Sequence, residues 1–216
     1  MCIRDRIIAD FTDIGVSPEK IKKRLERINE VLRVEILNQS APGLLIDSTH
    51  FPLTLLGERV FIMSKGVYKA LIKDIRDEWG SAGEVFLYHI GNKVGEDLVE
   101  TYSWLFRSQP LNKAIENLAN FSMNFGFLIP EIVKLDLDRG EVIVRAHASF
   151  ECELGKGVNK SYSQFVRGII AGIMRKIFKV ENVFVEETRC VAAGDPYCEF
   201  EITLKKRVNA NKKILE

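Results

Sequence analysis

Excess charge is the first thing this chain lacks. Its 31 Lys and Arg stand against 30 Asp and Glu, a formal net charge of +1 over 216 residues. Such a balance gives no reason to expect nucleic acid as a main partner. Long apolar runs are missing too, since none approaches the roughly 20 residues needed to span a bilayer. Histidine is scarce and scattered, at His50, His89 and His147. Each reads as a structural or surface residue. His147 shares its alternation parity with Arg145 and Ser149, which suggests a polar or half-exposed face. The sequence has no G-x-S-x-G, no G-x-x-x-x-G-K and no G-x-G-x-x-G. A serine elbow, a phosphate-cradling loop and a dinucleotide fingerprint are therefore excluded.

Cysteine is sparse, with four in all. Cys2 lies in Met1-Cys2-Ile3-Arg4-Asp5-Arg6, which resembles the translation of a sequencing-library adapter rather than a targeting signal. Setting residues 1–6 aside as an artefact removes a segment of charge +1 from the total of +1 and leaves 0. The natural N-terminus is then expected to be missing. Three cysteines remain, an odd number that cannot all pair. With no export signal, a reducing cytoplasm is the expected compartment. There, clustered cysteines mean metal or catalysis more often than disulfides.

What is present is an ordinary globular composition, 46% hydrophobic and 28% charged. The length allows one well-buried domain and a small second unit. Ile7 to Phe11 reads as a strand. Ser17-Pro18-Glu19 opens a helix through Ile21, Leu25 and Ile28. Val31 to Leu37 alternates as a strand, and Gly43 to Ile46 offers another. Strand, helix, strand, strand suggests half of a ferredoxin-like unit. In pattern, residues 7–49 resemble a regulatory ACT domain with its leading part cut away.

A second unit is expected over residues 50–205. It opens with a strand over 57–63, then a helix capped by Ser64, a break at Gly80 to Gly83, a second helix to Tyr102 and a third from Pro110. After Pro130 the period changes from helical to two. Ile132 to Leu137 and Val142 to Phe150 then pair around Asp138-Arg139-Gly140. A helix over residues 160–178 and a hairpin of Val183 to Val191 with Tyr197 to Leu204 follow. Residues 206–216, with Arg207, Lys212 and Lys213, read as a basic polar tail. Gly91-x3-Gly95 and Gly168-x3-Gly172 fall on expected helices, where each glycine costs about 1 kcal/mol relative to alanine. Tight helix packing is the plain explanation, and room for a ligand or a dimer partner is the other.

The richest chemistry lies in the last third. Cys152 is followed by Cys190 and Cys198, which are joined through Gly194-Asp195-Pro196. Thiolates plus a carboxylate can close a tetrahedral shell around zinc. Cys190 and Cys198 can face each other across a hairpin, with Cys152 arriving from the end of the preceding one. In a regular strand Glu186 shares a face with Cys190, and Glu187 reaches it only across a bulge. The choice between the two glutamates stays open. Reduced cysteines in a buried turn are the alternative to a metal.

Three features occur in order. They are the helix Phe165-Val166-Arg167-Gly168-Ile169-Ile170-Ala171-Gly172, a strand carrying Glu186-Glu187, and Cys190-x7-Cys198 closing on Glu199-Phe200. Together they resemble the 4-vinyl reductase domain family of hydrocarbon-binding proteins. The resemblance is specific over residues 140–204 and architectural over 51–139. It implies an α+β fold of antiparallel hairpins packed with helices, shared with a Golgi-trafficking tether component that holds an acyl chain. It also implies a structural zinc on Cys152, Glu187, Cys190 and Cys198. Relatives include sensory domains of phenol-responsive activators and an accessory protein of bacteriochlorophyll synthesis.

Aromatics concentrate at Tyr102, Trp104, Phe106, Phe121, Phe125 and Phe127. Such a stripe is usually core. By the resemblance, this region lines a closed pocket for an apolar, aromatic or hydrocarbon-like ligand. The expectation is a zinc-stapled sensor or regulatory module, homodimeric, that holds an apolar small molecule and signals to an output-domain protein. The alternatives are an accessory factor or enzyme in tetrapyrrole vinyl reduction, and an assembly scaffold. No cofactor motif is visible, and thiolates closed around a metal are poor nucleophiles. Binding is therefore favoured over catalysis, and no residue is assigned a catalytic role.

Overall fold

The computed structural model of the chain describes residues 13–37, 39–41, 44–46, 51–136 and 139–204. The chain divides into two compact units, Met1–Ile62 and Met63–Glu216. In the first, the Ser17 hydroxyl accepts the Lys20 N–H at 3.3 Å and Pro18 fills the first helical position. Helix α1 (Pro18–Leu25) therefore starts where a cap and a pre-set φ dictate. β1 (Gln39–Ala41) pairs antiparallel with β2 (Leu44–Leu45), and β3 (Thr54–Leu55) with β4 (Glu58–Arg59). The turn between β3 and β4 puts both Leu56 and Gly57 at positive φ, the geometry that matches strand twist in a two-residue hairpin.

Two expected strands differ in this unit. Val31–Leu37 forms none, because alternation yields a strand only where a partner completes the ladder. The strand expected over residues 57–63 is cut to the two residues of β4. Ile7 to Phe11 lies outside the described residues, so the ACT-like pattern finds no support.

The second unit opens with α2 (Lys65–Tyr68), a π-helical turn (Lys69–Asp74) and α3 (Ile75–Thr101), joined end to end. The expected break at Gly80 to Gly83 is a kink within α3. Gly80 adopts φ 54° and ψ −130°, a conformation that suits only glycine. α4 (Trp104–Ser108) and α5 (Leu111–Asn124) follow, the latter directly after Pro110. Next come β5 (Ile129–Asp136), β6 (Glu141–His147), α6 (Phe150–Leu154), α7 (Gln164–Phe178), β7 (Val183–Arg189) and β8 (Cys198–Leu204). The last four strands form an antiparallel sheet in the order β5-β6-β8-β7.

The hairpin expected to run on to Phe150 ends at His147. Ala148 turns to φ 50° and Ser149 starts α6. Cys152 is consequently carried by a short helix rather than by the end of a strand. Ser149 is buried and does not share the exposed face of Arg145 and His147.

The core lies between the sheet and the helices. Val142, Ala146, Val183, Val185, Phe200 and Ile202 face Val166, Ala171 and Met174 of α7. Each large apolar side chain buried there stabilises by about 1.5–3 kcal/mol. A second cluster joins Val99, Tyr102, Leu105, Ala114 and Leu118. Helices α3 and α7 run parallel with backbone against backbone. A Cβ on Gly91, Gly95, Gly168 or Gly172 would stand 2.2, 2.1, 2.1 and 2.0 Å from the carbonyl oxygens of Phe165, Ile169, Tyr88 and Asn92. These glycines serve packing and leave no room for a ligand between them. Arg175 to Glu96 (3.2 Å), Lys176 to Glu100 and Lys160 to Glu84 (2.8 Å) bridge the same helices and the loop before α7.

Candidate metal centre

Three pieces of backbone bring the site together: α6, the end of β7 and the start of β8. The loop from Cys190 to Cys198 is tightly folded. A 3-10 turn spans Val191–Ala193, and Gly194 sits at φ 106°, where a side chain would be strained. Asp195 locks the loop, its carboxylate accepting the Cys190 N–H at 2.8 Å while its own N–H donates to the Cys190 carbonyl at 3.1 Å. Both thiols are thereby turned inward.

Register decides which of Glu186 and Glu187 faces the cysteines. β7 pairs Glu187 with Phe200 and Arg189 with Glu199, so Thr188 is an extra residue. The bulge shifts the alternation by one. Val183, Val185 and Glu187 face inward before it, and Cys190 faces inward after it. Glu186 sits opposite Glu201 on the exposed side.

Cys152, Cys190 and Cys198 are no more than 1% exposed, and Glu187 is 9% exposed. Their donor atoms all lie within 4.8 Å of one another. Cys152 Sγ stands 3.6 Å from Cys190 Sγ, 3.4 Å from Cys198 Sγ and 3.9 Å from Glu187 Oε1. A disulfide requires about 2.05 Å, and the three thiols are free. A tetrahedral zinc with Zn–S near 2.3 Å places sulfurs about 3.8 Å apart and a ligand oxygen about 3.6 Å from each. The three edges at Cys152 are close to that tetrahedron. A buried set of three thiols and one carboxylate could hold a metal ion.

The electrostatics of the protein-only site point the same way. Hydrogen bonds from Cys152 and Cys198 hold the Cys190 thiol well below its ordinary range. The bonds of Cys152 with Cys190 and with Cys198, and then burial, push Cys152 far up. At Cys198 the bond with Cys152 favours the thiolate, but the bond with Cys190 and burial outweigh it, and the group is pushed up to about 12. Burial raises Glu187 to about 7 against the opposing pull of the Ser163 hydroxyl. Cys190 is thus the sulfur most ready to carry negative charge. A dication would allow every ligand to ionise.

Two supporting groups went unseen in the sequence. Ser163, at the start of α7, donates its N–H to Glu187 Oε2 at 3.1 Å and its hydroxyl to Glu187 Oε1 at 2.7 Å, and lies 2.9 Å from Cys152 Sγ. Glu151 is fully buried beside Cys152. It accepts the N–H groups of Phe165 (3.0 Å) and Val166 (2.8 Å) and pairs with Arg76. Burial draws its carboxyl upward against Arg76 and those two N–H groups. A serine directly before the helix was a readable cap signal, whereas nothing local marked Glu151 or Arg76.

The six aromatic residues are dispersed. Tyr102 packs on Phe121 at 4.8 Å between ring centroids, and Phe125 on Phe127 at 5.9 Å. Phe127 continues to Phe150 and Phe165, at 5.1 and 6.5 Å. Phe106 is half-buried and Trp104 is 46% exposed. Cavities of about 190 and 240 Å³ on this unit are lined by none of the six. His89 is exposed and His147 faces Glu131 at 3.3 Å, so neither joins the cluster, and His50 lies outside the described residues. No helix among the described residues is long and apolar enough to cross a membrane.

Comparison with known proteins follows this geometry. The model of the V4R domain matches residues 142–204, the stretch that carries all four donors. An uncharacterized protein of Methanocaldococcus jannaschii is 25% identical over 129 residues, which is 60% of this chain and 69% of that one. The phenol-responsive sensory domain of the transcription activator PoxR, solved with phenol, is similar in structure. Its TM-score is 0.63 at 16% identity, over 70% of this chain and 79% of that one. A vinyl-4-reductase family protein of M. jannaschii aligns at a TM-score of 0.47 and 18% identity, over 68% of this chain and 85% of that one. With the motif, the sheet and the donor cluster in place, the stretch from Val142 to Leu204 is the part of the chain that matches the V4R domain family.

Proposed function

We propose that this chain is a small-molecule sensory module whose second unit is stapled by a structural zinc on Cys152, Glu187, Cys190 and Cys198. The observation that carries the proposal is the convergence of four buried donors from α6, β7 and β8 at tetrahedral spacings. A metal there would tie the sheet to α6 and, through Ser163, to the start of α7. In small zinc modules such a tie supplies on the order of 10 kcal/mol of apparent binding free energy. The sensory reading is supported by the fold shared with the PoxR domain. On this reading residues 50–205 act as the ligand-binding domain. An apolar or aromatic molecule would enter among Tyr102, Trp104, Phe106, Phe121, Phe125 and Phe127, with rotation of rings now packed together. A homodimer and an output protein complete the proposal.

The experiment is elemental analysis of purified wild type beside Cys198→Ser, followed by solvent extraction and mass spectrometry. Stoichiometric zinc in wild type, lost together with thermal stability in the variant, is expected, along with a co-extracted apolar compound. Metal-free wild type that melts as sharply as the metal-loaded protein would sink the zinc reading.

A further inference from the structure

The cleft of about 240 Å³ near the metal corner is walled by Lys73, Arg76, Asp77, Gly80, Lys160 and Tyr162, among others. One wall residue has donors that the protein leaves unused. Arg76 is only 6% exposed. Its Nη2 serves Glu151, the Tyr162 carbonyl at 2.7 Å and Gln164 Oε1 at 2.9 Å. Its guanidinium also lies 3.9 Å over the Tyr162 ring. Yet Nε and Nη1 are buried and find no acceptor among the described residues. An unsatisfied buried donor costs about 1–3 kcal/mol, more when charged. The arginine is thus over-supplied with donors for a purely structural role.

We propose that this cleft binds a small carboxylate with an apolar or aromatic body. A guanidinium N–H selects an anionic oxygen over a neutral one. On the wall, Lys73 and Lys160 are matched by Asp77 and Glu84. Glu151 lies behind Arg76 and occupies Nη2 only. Nε and Nη1 have no exposed surface, so an entering carboxylate meets these unspent donors once the Arg76 side chain turns toward the cleft. The Tyr162 ring and Val158 offer apolar surface for the rest of the ligand. Nothing lies within 4 Å of the place where a Cβ on Gly80 would stand, so the kink leaves open space. The volume equals about eight waters at roughly 30 Å³ each, enough for a carboxylate on a single ring. The proposal rests on the small-molecule reading above and adds a second address to it. Glu151 and Tyr162 directly precede Cys152 and Ser163 in the chain, so the occupant would touch the two turns that hold the metal corner.

The test is calorimetric titration of the purified full chain, its zinc content measured, with sodium benzoate and with benzyl alcohol as the neutral match. Amide NMR spectra would locate the response. Benzoate is expected to bind at millimolar concentration and shift Tyr162 and Gly80, with benzyl alcohol much weaker. Arg76→Met should weaken benzoate about tenfold or more. Because that change also breaks a buried ion pair and can unfold the chain, Val158→Trp, which fills the mouth from a half-exposed position, should have the same effect on binding while melting like wild type. No binding of benzoate, equal binding of the alcohol, or full binding by Val158→Trp each overturns the proposal. Zinc-bearing protein that ignores benzoate overturns the cleft alone, whereas zinc-free wild type overturns the metal reading whatever benzoate does.

Discussion

The glycine seam between α3 and α7 and the cysteine corner below it are both buried, yet they are held in opposite ways. At the seam the buried contact is between backbones, which four missing side chains let touch, with ion pairs such as Arg175 to Glu96 only along its edge. At the corner, four groups that ionise sit within 4.8 Å with no cation of the protein among them. The seam is complete as the chain folds it. The corner gathers three thiols and a carboxylate that could hold a metal ion. Shape suffices for one, and on the proposed reading the other takes a partner from outside the chain.

On the zinc reading, the sharpest way to break this contrast is to strip the site. Chelation, or Cys198→Ser, is expected to lower the melting temperature more than any other change. The relevant free energy is on the order of 10 kcal/mol in small zinc modules. Because the thiols must lose protons to bind, acidification should release the metal and raising the pH should restore it. The check is zinc release followed with a chromogenic chelator against pH. Next in size is the seam. Gly172→Ala would place a methyl carbon 2.0 Å from the Asn92 carbonyl oxygen. Overpacking of this kind costs about 1–3 kcal/mol or more, visible in urea unfolding, and it should leave zinc content unchanged. That independence is the point, since a Gly172→Ala protein that loses zinc would show the two regions to be one.

Smaller changes sharpen the corner itself. Glu187→Gln keeps the shape but not the charge, and zinc should bind more weakly. Glu186→Gln, on the exposed side of the same strand, should behave as wild type in a competition titration. Ser163→Ala removes a supporting hydrogen bond to Glu187, and a loss of about 10–100-fold in metal affinity is expected. If Ser163→Ala weakens nothing, its hydroxyl bond to Glu187 does not support the metal site.

These outcomes bear on what the amino-acid order made legible. The cysteines could be read because their chemistry is local: two thiols joined by a Gly-Asp-Pro turn need few solutions. The sheet was readable from its alternation, and α7 as a helix without its cap. Where the reading failed, the determinant lay in another part of the chain. Val31–Leu37 alternates like a strand but has no partner ladder. Cys152 rides on a helix because Ala148 turns back at positive φ, and no residue type announces that. The aromatic residues look alike in sequence whether they line a pocket or fill a core. Arg76 became visible only when the fold placed it against Glu151, 75 residues away.

The glutamate question shows the limit most clearly. Parity alone favoured Glu186, and a single inserted residue, Thr188, reversed it. The helical glycines were ambiguous for a similar reason, since a gap in side chains can admit either a ligand or a backbone. Here the backbone fills it.

The seam also has a consequence in time. Arg175 and Glu96, at its far end, are 79 residues apart, with a hairpin and three helices between them. Closing a loop of that length gives up roughly 4 kcal/mol of chain entropy before the contact returns anything. Helical proteins usually fold fast because their contacts are near neighbours in sequence. This one cannot zip up from either end, since α3 is made early and waits, its small-residue stripe bare, for nearly the whole second unit to follow. Until α7 arrives, the same smoothness that later fits the two helices together leaves α3 with nothing to hold.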